Sequence, residues 1–371
     1  MTLRRVLIDG YFLGKPYGFG RFVSELCRAL GSAPTDIQFV VAVPARIDPR
    51  TLPAYRNFIW HTLPNVNFVV WEQVLIPWLA HRSGCGVVHF PYNTRALLTP
   101  GVRTVTTVHD VFFLTESIPV RKFRSWFSIQ YARRIFSLAT HKSDAVVSVS
   151  DTTRRALAPM GIEATTVYNT VDGFLAELPR RRKAVDRPYI LHRGGYQPHR
   201  NTERLIQAFR IVRTMLPDME LKIVGTPESA DRWGTRDDEG IQYLPRLSDA
   251  ELAACYAGSL CVVVASLSEG FGLPIIEGFG FGTPVITSDI DPMREVAGNA
   301  AFLVDPYNIE ALAEAMRSVV SDRLLAARLI EKGRARLAAF SGSRVAEQMM
   351  KIYATCLEPT ARASELQTSS L

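Results

Sequence analysis

Short β-branched runs alternate with helical segments of ten or more residues along this chain, in two separate series. The first series runs from RRVLID (4–9) through IQFVVAV (37–43), NFVV (67–70), GVVHF (86–90), RTVTTVH (103–109) and DAVVSVS (144–150) to TTVY (165–168). Helices are expected between them at about 21–30, 71–82 and 122–142, and from Thr152 onward. The second series has YILHR (189–193), ELKIVG (220–225), SLCVVVAS (259–266) and PVIT (284–287), with helices at 201–216, 248–257, 308–320 and 323–340. Apolar strands of this length between helices predict parallel sheets covered on both faces. Between the series, DGFLAELPRRRKAVDRP (172–188) is charged, holds two prolines and has no period, as a linker should. The expected fold class is α/β, with two Rossmann-like doubly wound domains facing across a cleft. The domains are 1–172 and 189–342, joined by a linker at 173–188. A last helix, 343–358, is expected to cross back onto the first domain, and 359–371 to form a flexible tail. In such sheets ligands sit beyond the carboxyl ends of the strands.

At 371 residues the chain exceeds what one ordinary core supports, in agreement with two domains. It has no apolar run of about 18 residues, and MTLRRVLIDGYF enters a strand without a secretory apolar segment. Cys27, Cys85, Cys255, Cys261 and Cys356 are scattered, which fits reduced thiols in a cytoplasmic protein and argues against a cysteine metal site. The net charge of +7 is uneven. Residues 1–172 hold 19 Lys and Arg against 11 Asp and Glu, and the remainder 24 against 25. A basic first half suits an anionic partner (phosphate, lipid headgroup or nucleic acid) or provides a margin of solubility.

SEGFGLPIIEGFGFGTPVIT (268–287) follows the strand SLCVVVAS and holds five glycines, two prolines and two glutamates, Glu269 and Glu277. Glycine at this density weakens a helix, so something other than helix stability favours it. Pro274 suits a first helical turn, where its missing N–H is no loss. A glycine loop entering a helix lets backbone amides close on an anion, aided by the helix dipole, and a diphosphate fits that geometry. Glu277 is then placed to accept hydrogen bonds from ribose hydroxyls, and Glu269 from a sugar beyond the diphosphate. The competing reading of this stretch alone is a tight strand-to-helix turn whose glycines permit close packing.

The E-x7-E spacing of Glu269 and Glu277 resembles the motif of the retaining, GT-B-fold glycosyltransferases of family 4, in particular mannosyltransferase-like members of bacterial polysaccharide type. YGFGRFVSEL (17–26), TTVHDVFFL (106–114), VVSVSDTTRRAL (146–157), GGYQPHRNTERLIQAF (194–209), LSDAELAACYAGS (247–259) and EVAGNAAFLVDP (295–306) are similar to further family segments and fall in the family's order. The resemblance implies a first domain that binds acceptor and a second that binds a nucleotide sugar. It implies that Glu277 holds the nucleotide ribose and that Glu269 contacts the donor sugar. The loop Gly270, Phe271, Gly272 and Leu273 matches the one whose amides meet sugar and diphosphate. Gly18 and Gly20 match the opposing glycine loop, His109 the histidine at the donor sugar, and Arg200 the lysine that neutralises the phosphates. Gly195 stands where the family often has an Arg, and Arg193 is the nearest substitute. His109, Glu269 and Arg200 are the catalytic candidates.

The activity so implied is transfer of a hexosyl unit, in the first instance mannosyl from GDP-mannose, to a glycan acceptor. A lipid-linked acceptor at the inner face of a bacterial membrane suits the basic first domain. No cofactor and no metal are expected, because Arg200, a helix N-terminus and glycine amides stabilise the leaving diphosphate. DID (289–291) spells a D-x-D metal motif and is read as coincidence. His89 is a candidate for the acceptor side, while His192 and His199 are read as structural or solvated. RKFRSWFSIQYARRIFSLATHK (121–142) has six Lys and Arg, no acid, and aromatics. That composition suits a helix lying on an anionic membrane, and equally a domain helix with a solvated face. A GT-B-fold sugar-nucleotide epimerase or phosphorylase is the alternative enzyme class, though no lysine sits in a recognisable pyridoxal phosphate motif. A nucleic-acid-binding protein is the non-enzyme alternative, and it lacks any recognition module, so no nucleic-acid partner is expected.

Overall fold

The structure is a computed structural model that describes residues 4–15, 18–115, 123–177, 187–194, 197–225 and 240–358, with the side chains of 113, 115 and 123–129 excepted. Gly195, Arg121, Lys122, the side chain of Arg124, linker residues 178–186 and the tail 359–371 lie outside the described residues. The chain divides into two compact units. The first comprises residues up to Val149, Thr153–Tyr168 and the segment from Gly342 onward, and the second comprises Ser150–Thr152 and Asn169–Ser341.

The first unit holds seven strands: β1 (Arg5–Asp9), β2 (Gln38–Pro44), β3 (Phe58–Leu63), β4 (Val87–Phe90), β5 (Arg103–Val108), β6 (Ala145–Ser148) and β7 (Thr165–Thr166). They pair in parallel in the order β3-β2-β1-β4-β5-β6-β7. Val6, Leu7 and Ile8 are fully buried in succession, which is why the central strands read as unbroken apolar runs. The strand order reverses between β1 and β4, so the chain leaving Asp9 lies at the switch point of this sheet. The last helix, Gly342–Leu357, packs on the helix Gly18–Ser32 of the same unit.

One expected strand is absent. In NFVV, the Asn67 side chain accepts from the Val70 N–H and caps a helical turn, Phe68–Val70. That turn continues into a π-turn, Trp71–Leu75, and the helix Ile76–Arg82. Here a local N-cap outweighs the β-propensity of three apolar residues. The strand lies upstream at β3, FIWHTL, a half-buried segment that mixes polar with apolar residues and is not among the expected strands.

In the second unit, β8 (Tyr189–Arg193), β9 (Glu220–Val224), β10 (Ile241–Leu244), β11 (Cys261–Val264), β12 (Val285–Ser288) and β13 (Phe302–Val304) form a parallel sheet, ordered β10-β9-β8-β11-β12-β13. Leu205, Phe209 and Val212 of the helix Thr202–Met215 pack with Leu312 and Met316 of the helix Ile309–Ser321 onto Ile190, Leu221, Val263 and Ile286. Each such burial is worth about 1.5–3 kcal/mol relative to exposure. The order reverses between β8 and β11. The helix Leu273–Phe281 lies against β11 and β12, and Gly278 lets it close on them. A Cβ at 278 would stand 2.7 Å from Val285 and 2.8 Å from Val262.

Candidate active site

The glycine-rich stretch forms a loop beyond β11 and then the helix Leu273–Phe281, with Pro274 in its first turn. Gly272 caps the helix at φ 99°, a left-handed conformation that a side chain would strain, so this position requires glycine. Glu277 projects from the helix and is fully buried. Its Oε2 accepts from the Tyr256 hydroxyl at 2.6 Å and from the Arg193 guanidinium. Arg193 is the last residue of β8, and Tyr256 lies on the helix Asp249–Gly258, which begins with a Ser248–Glu251 capping box. Burial, and then the Glu277 charge, hold the Tyr256 phenol well above its ordinary pKa, so it remains a donor.

Glu269 is paired too. Its Oε1 accepts from the Arg200 guanidinium and, at 2.9 Å, from the Ser266 hydroxyl. Arg200 ends a short 3-10 turn, Pro198–Arg200. The two loops are tied together by the Leu267 N–H, which donates to the His199 carbonyl at 2.7 Å. Asn201, in the left-handed region at φ 56°, anchors the first loop through its amide to the Pro306 carbonyl at 2.7 Å. Four residues singled out in the sequence, Arg193, Arg200, Glu269 and Glu277, thus meet in this unit as two cation–carboxylate pairs. Gly270 and Phe271 form the intervening loop, where Phe271 is buried edge-on against Phe340. Tyr256 and Ser266 complete the constellation, and nothing in their sequence spacing marks them.

In the first unit, Gly18 opens the helix Gly18–Ser32 into open space. Gly20 is needed for close approach, since a Cβ there would collide with the Lys15 and Phe12 carbonyls. His109 follows β5 and is buried between Phe19 and Phe22, with ring centroids at 4.8 and 4.6 Å. Its Nε2 lies 3.0 Å from the Pro91 carbonyl, an acceptor only, so the proton sits on Nε2. His89 is not on an open acceptor face. It is fully buried and bonds the Tyr353 hydroxyl at 2.7 Å and Thr107 at 2.8 Å, joining the last helix to the sheet. His192 is structural, bonded to the Val263 carbonyl and to Thr202. Asp289 of DID is paired with Arg294 at 2.6 Å. Among the described residues there is no cluster of three or more His, Cys, Asp or Glu able to hold a metal, and no helix long and apolar enough to cross a membrane.

Burial lowers His89 to about 3 and His109 and His192 to about 4. Between about pH 6.5 and 4 each takes a proton in the unfolded chain and not in the folded one. Stability therefore falls with falling pH by about 1.4 kcal/mol per pH unit for each histidine. Asp9, raised to about 7 by burial, and Glu72, also raised by burial, act in the opposite sense over this range. Three histidines outweigh two carboxyls, so the urea midpoint is expected to drop from pH 7 to pH 5. A flat or rising midpoint would contradict these burials.

A family model described as "Glycosyltransferase Family 4" matches residues 16–173, and one described as "Glycosyl transferases group 1" matches residues 176–336. The chain belongs to the family 4 glycosyltransferases. The O-antigen chain mannosyltransferase B of Escherichia coli is 25% identical to this family member over 272 residues, covering 68% of this chain and 70% of that protein. A phosphatidyl-myo-inositol mannosyltransferase of Mycobacterium leprae is 30% identical over 226 residues, covering 56% of this chain and 58% of that protein. Among solved structures, sucrose-phosphate synthase from Thermosynechococcus elongatus superposes with a TM-score of 0.70 at 18% identity, over 95% of this chain and 98% of that one. At that identity the likeness shows the fold alone, GT-B with two Rossmann-like domains. In this glycosyltransferase Glu269 and Glu277, eight residues apart, are each held by an arginine.

Proposed function

We propose that this glycosyltransferase moves a hexosyl residue, mannosyl from GDP-mannose first among the candidates, to a glycan acceptor with retention and without a metal ion. The observation that carries this reading is the pairing of Glu269 with Arg200 and of Glu277 with Arg193, which joins the end of β8 and its following turn to the loop and helix that follow β11. Breaking a glycosyl–diphosphate bond builds positive charge on the sugar and negative charge on the departing phosphate. Arg200 and the amides at the start of the helix Leu273–Phe281 are assigned to the phosphate, Glu277 to the ribose and Glu269 to the donor sugar. His109, neutral at pH 7, is assigned to the donor sugar, and the glycine loop of Gly18 and Gly20 to the diphosphate. The sugar C1–O bond to the diphosphate breaks, and the acceptor oxygen bonds to C1 on the same face. The acceptor proton passes to the departing phosphate oxygen.

The mannosyltransferase relatives support the choice of donor. The basic first half supports a cytoplasmic enzyme peripheral to an anionic membrane, acting on a lipid-linked saccharide in surface polysaccharide synthesis. Arg121, Lys122 and Arg124, the cations proposed to touch that membrane, belong to the segment only partly described. Thermal unfolding against GDP-, UDP-, dTDP- and ADP-sugars tests the donor. A ligand at a hundred times its dissociation constant stabilises by about 2.7 kcal/mol. GDP-mannose is expected to give the largest shift; a larger shift with another base would reassign the donor.

A further inference from the structure

Asp9 ends β1 at the switch point of the first sheet and is fully buried. Its Oδ1 accepts twice, from the Tyr11 N–H at 2.9 Å and from the Trp71 indole N–H at 2.7 Å, which fixes the carboxyl group. Its Oδ2 is buried and has no hydrogen-bond partner among the described residues. The contrast with Glu72 is informative, because the same π-turn supplies both Trp71 and Glu72. The Glu72 carboxylate is also buried, yet Thr94, Gln73 and Tyr131 all donate to it. Leaving a buried carboxylate oxygen unmet is destabilising, and burial holds the Asp9 carboxyl up at about 7. A fold that satisfies one acid completely and leaves its neighbour open has reserved that oxygen for something else.

The surroundings indicate what that is. Trp71 packs on Tyr11 with centroids 5.4 Å apart, and Tyr11 packs on Phe12 and on Phe68, each at 5.1 Å. Tyr11, Phe12 and Phe68 are half-buried, so this aromatic cluster reaches from Asp9 to solvent. Aromatic faces beside a fixed carboxylate are complementary to a pyranose ring, which has an apolar face and hydroxyl donors at its edge.

We propose that Asp9 is a ligand-binding residue for the acceptor, its Oδ2 receiving a hydroxyl of a saccharide ring that lies against Tyr11, Phe12 and Phe68 and displaces a ring of that cluster on entry. The inference rests on the reading that the first unit binds a glycan acceptor. Asp9→Asn keeps the shape and replaces the accepting oxygen by a donating amide. Wild type and variant are titrated with the methyl α-glycosides of mannose, glucose, galactose and rhamnose by ligand-observed NMR, and separately with GDP, with melting temperature recorded for both. The expected result is glycoside binding weakened about tenfold or more in Asp9→Asn, GDP affinity unchanged, and a melting temperature unchanged or raised. A purely structural Asp9 would instead lower the melting temperature and leave glycoside affinity alone, overturning the proposal. Wild type that binds GDP but none of the glycosides also overturns it while leaving the donor assignment standing; wild type that binds no GDP strikes the underlying reading. Should Asp9→Asn fail to fold, Trp71→Phe, which removes one of the bonds fixing Asp9, is expected to weaken glycoside binding with GDP affinity intact, and unchanged glycoside binding there counts against the proposal.

Discussion

Glu277→Ala is expected to weaken GDP binding by about 1.5–3 kcal/mol, roughly one to two orders of magnitude, and to destabilise the second unit as well. The binding loss is that of a charged acceptor for ribose hydroxyls. The stability loss has a separate cause. Glu277 is fully buried and accepts from both Tyr256 and Arg193. Removing one partner of a buried ion pair typically costs about 3–5 kcal/mol, because the other charge is left behind. The Arg193 side chain keeps 27% of its exposure, so water takes up part of its charge and the lower end of that range applies. Glu277→Gln separates the two effects. An amide oxygen still accepts from Tyr256 or Arg193, so most of the stability is expected to return, while GDP affinity stays below wild type. Titration calorimetry with GDP and urea unfolding measure both quantities. Wild-type GDP affinity in Glu277→Ala would remove the ribose role.

Arg200→Ala is expected to lower kcat by about a hundred- to a thousandfold, corresponding to roughly 2.7–4 kcal/mol of transition-state stabilisation, with the donor KM changed far less. The charge on the departing diphosphate grows as the glycosyl bond breaks, so a cation there acts most strongly in the transition state. The Arg200 side chain is 26% exposed and its partner Glu269 11%, which leaves the guanidinium reachable by ligand. Arg200→Lys keeps the charge and loses the planar fork, so partial recovery is expected. Steady-state kinetics on the three proteins decide it. A kcat near wild type in Arg200→Ala would place the phosphate cation elsewhere, with Arg193 the next candidate.

The central strands were legible in the sequence because burial on both faces leaves an unbroken apolar run, as in CVVV of β11. The edge strands β3, β10 and β13 were not. FIWHTL and IQYL mix polar with apolar residues and are half-buried, so they carry no continuous signal. NFVV misled because the deciding interaction was the side chain of Asn67, one residue outside the apolar run. Within the site, Glu269 and Glu277 were legible because they share one loop-to-helix stretch. Their partners were only half visible. Arg193 meets Glu277 across 84 residues and Arg200 meets Glu269 across 69, and only the closing of β8 against β11 brings them together. The Trp71–Asp9 bond spans 62 residues and depends on a π-turn that no periodicity announces.

The most direct test of the central claim is proton NMR of the purified protein incubated with GDP-mannose, an oligosaccharide acceptor and excess chelator. The predicted result is release of GDP together with a first-formed mannoside that has the donor's anomeric configuration. GDP-mannose left unconsumed, or inverted at a ring carbon with its diphosphate intact, would contradict the account.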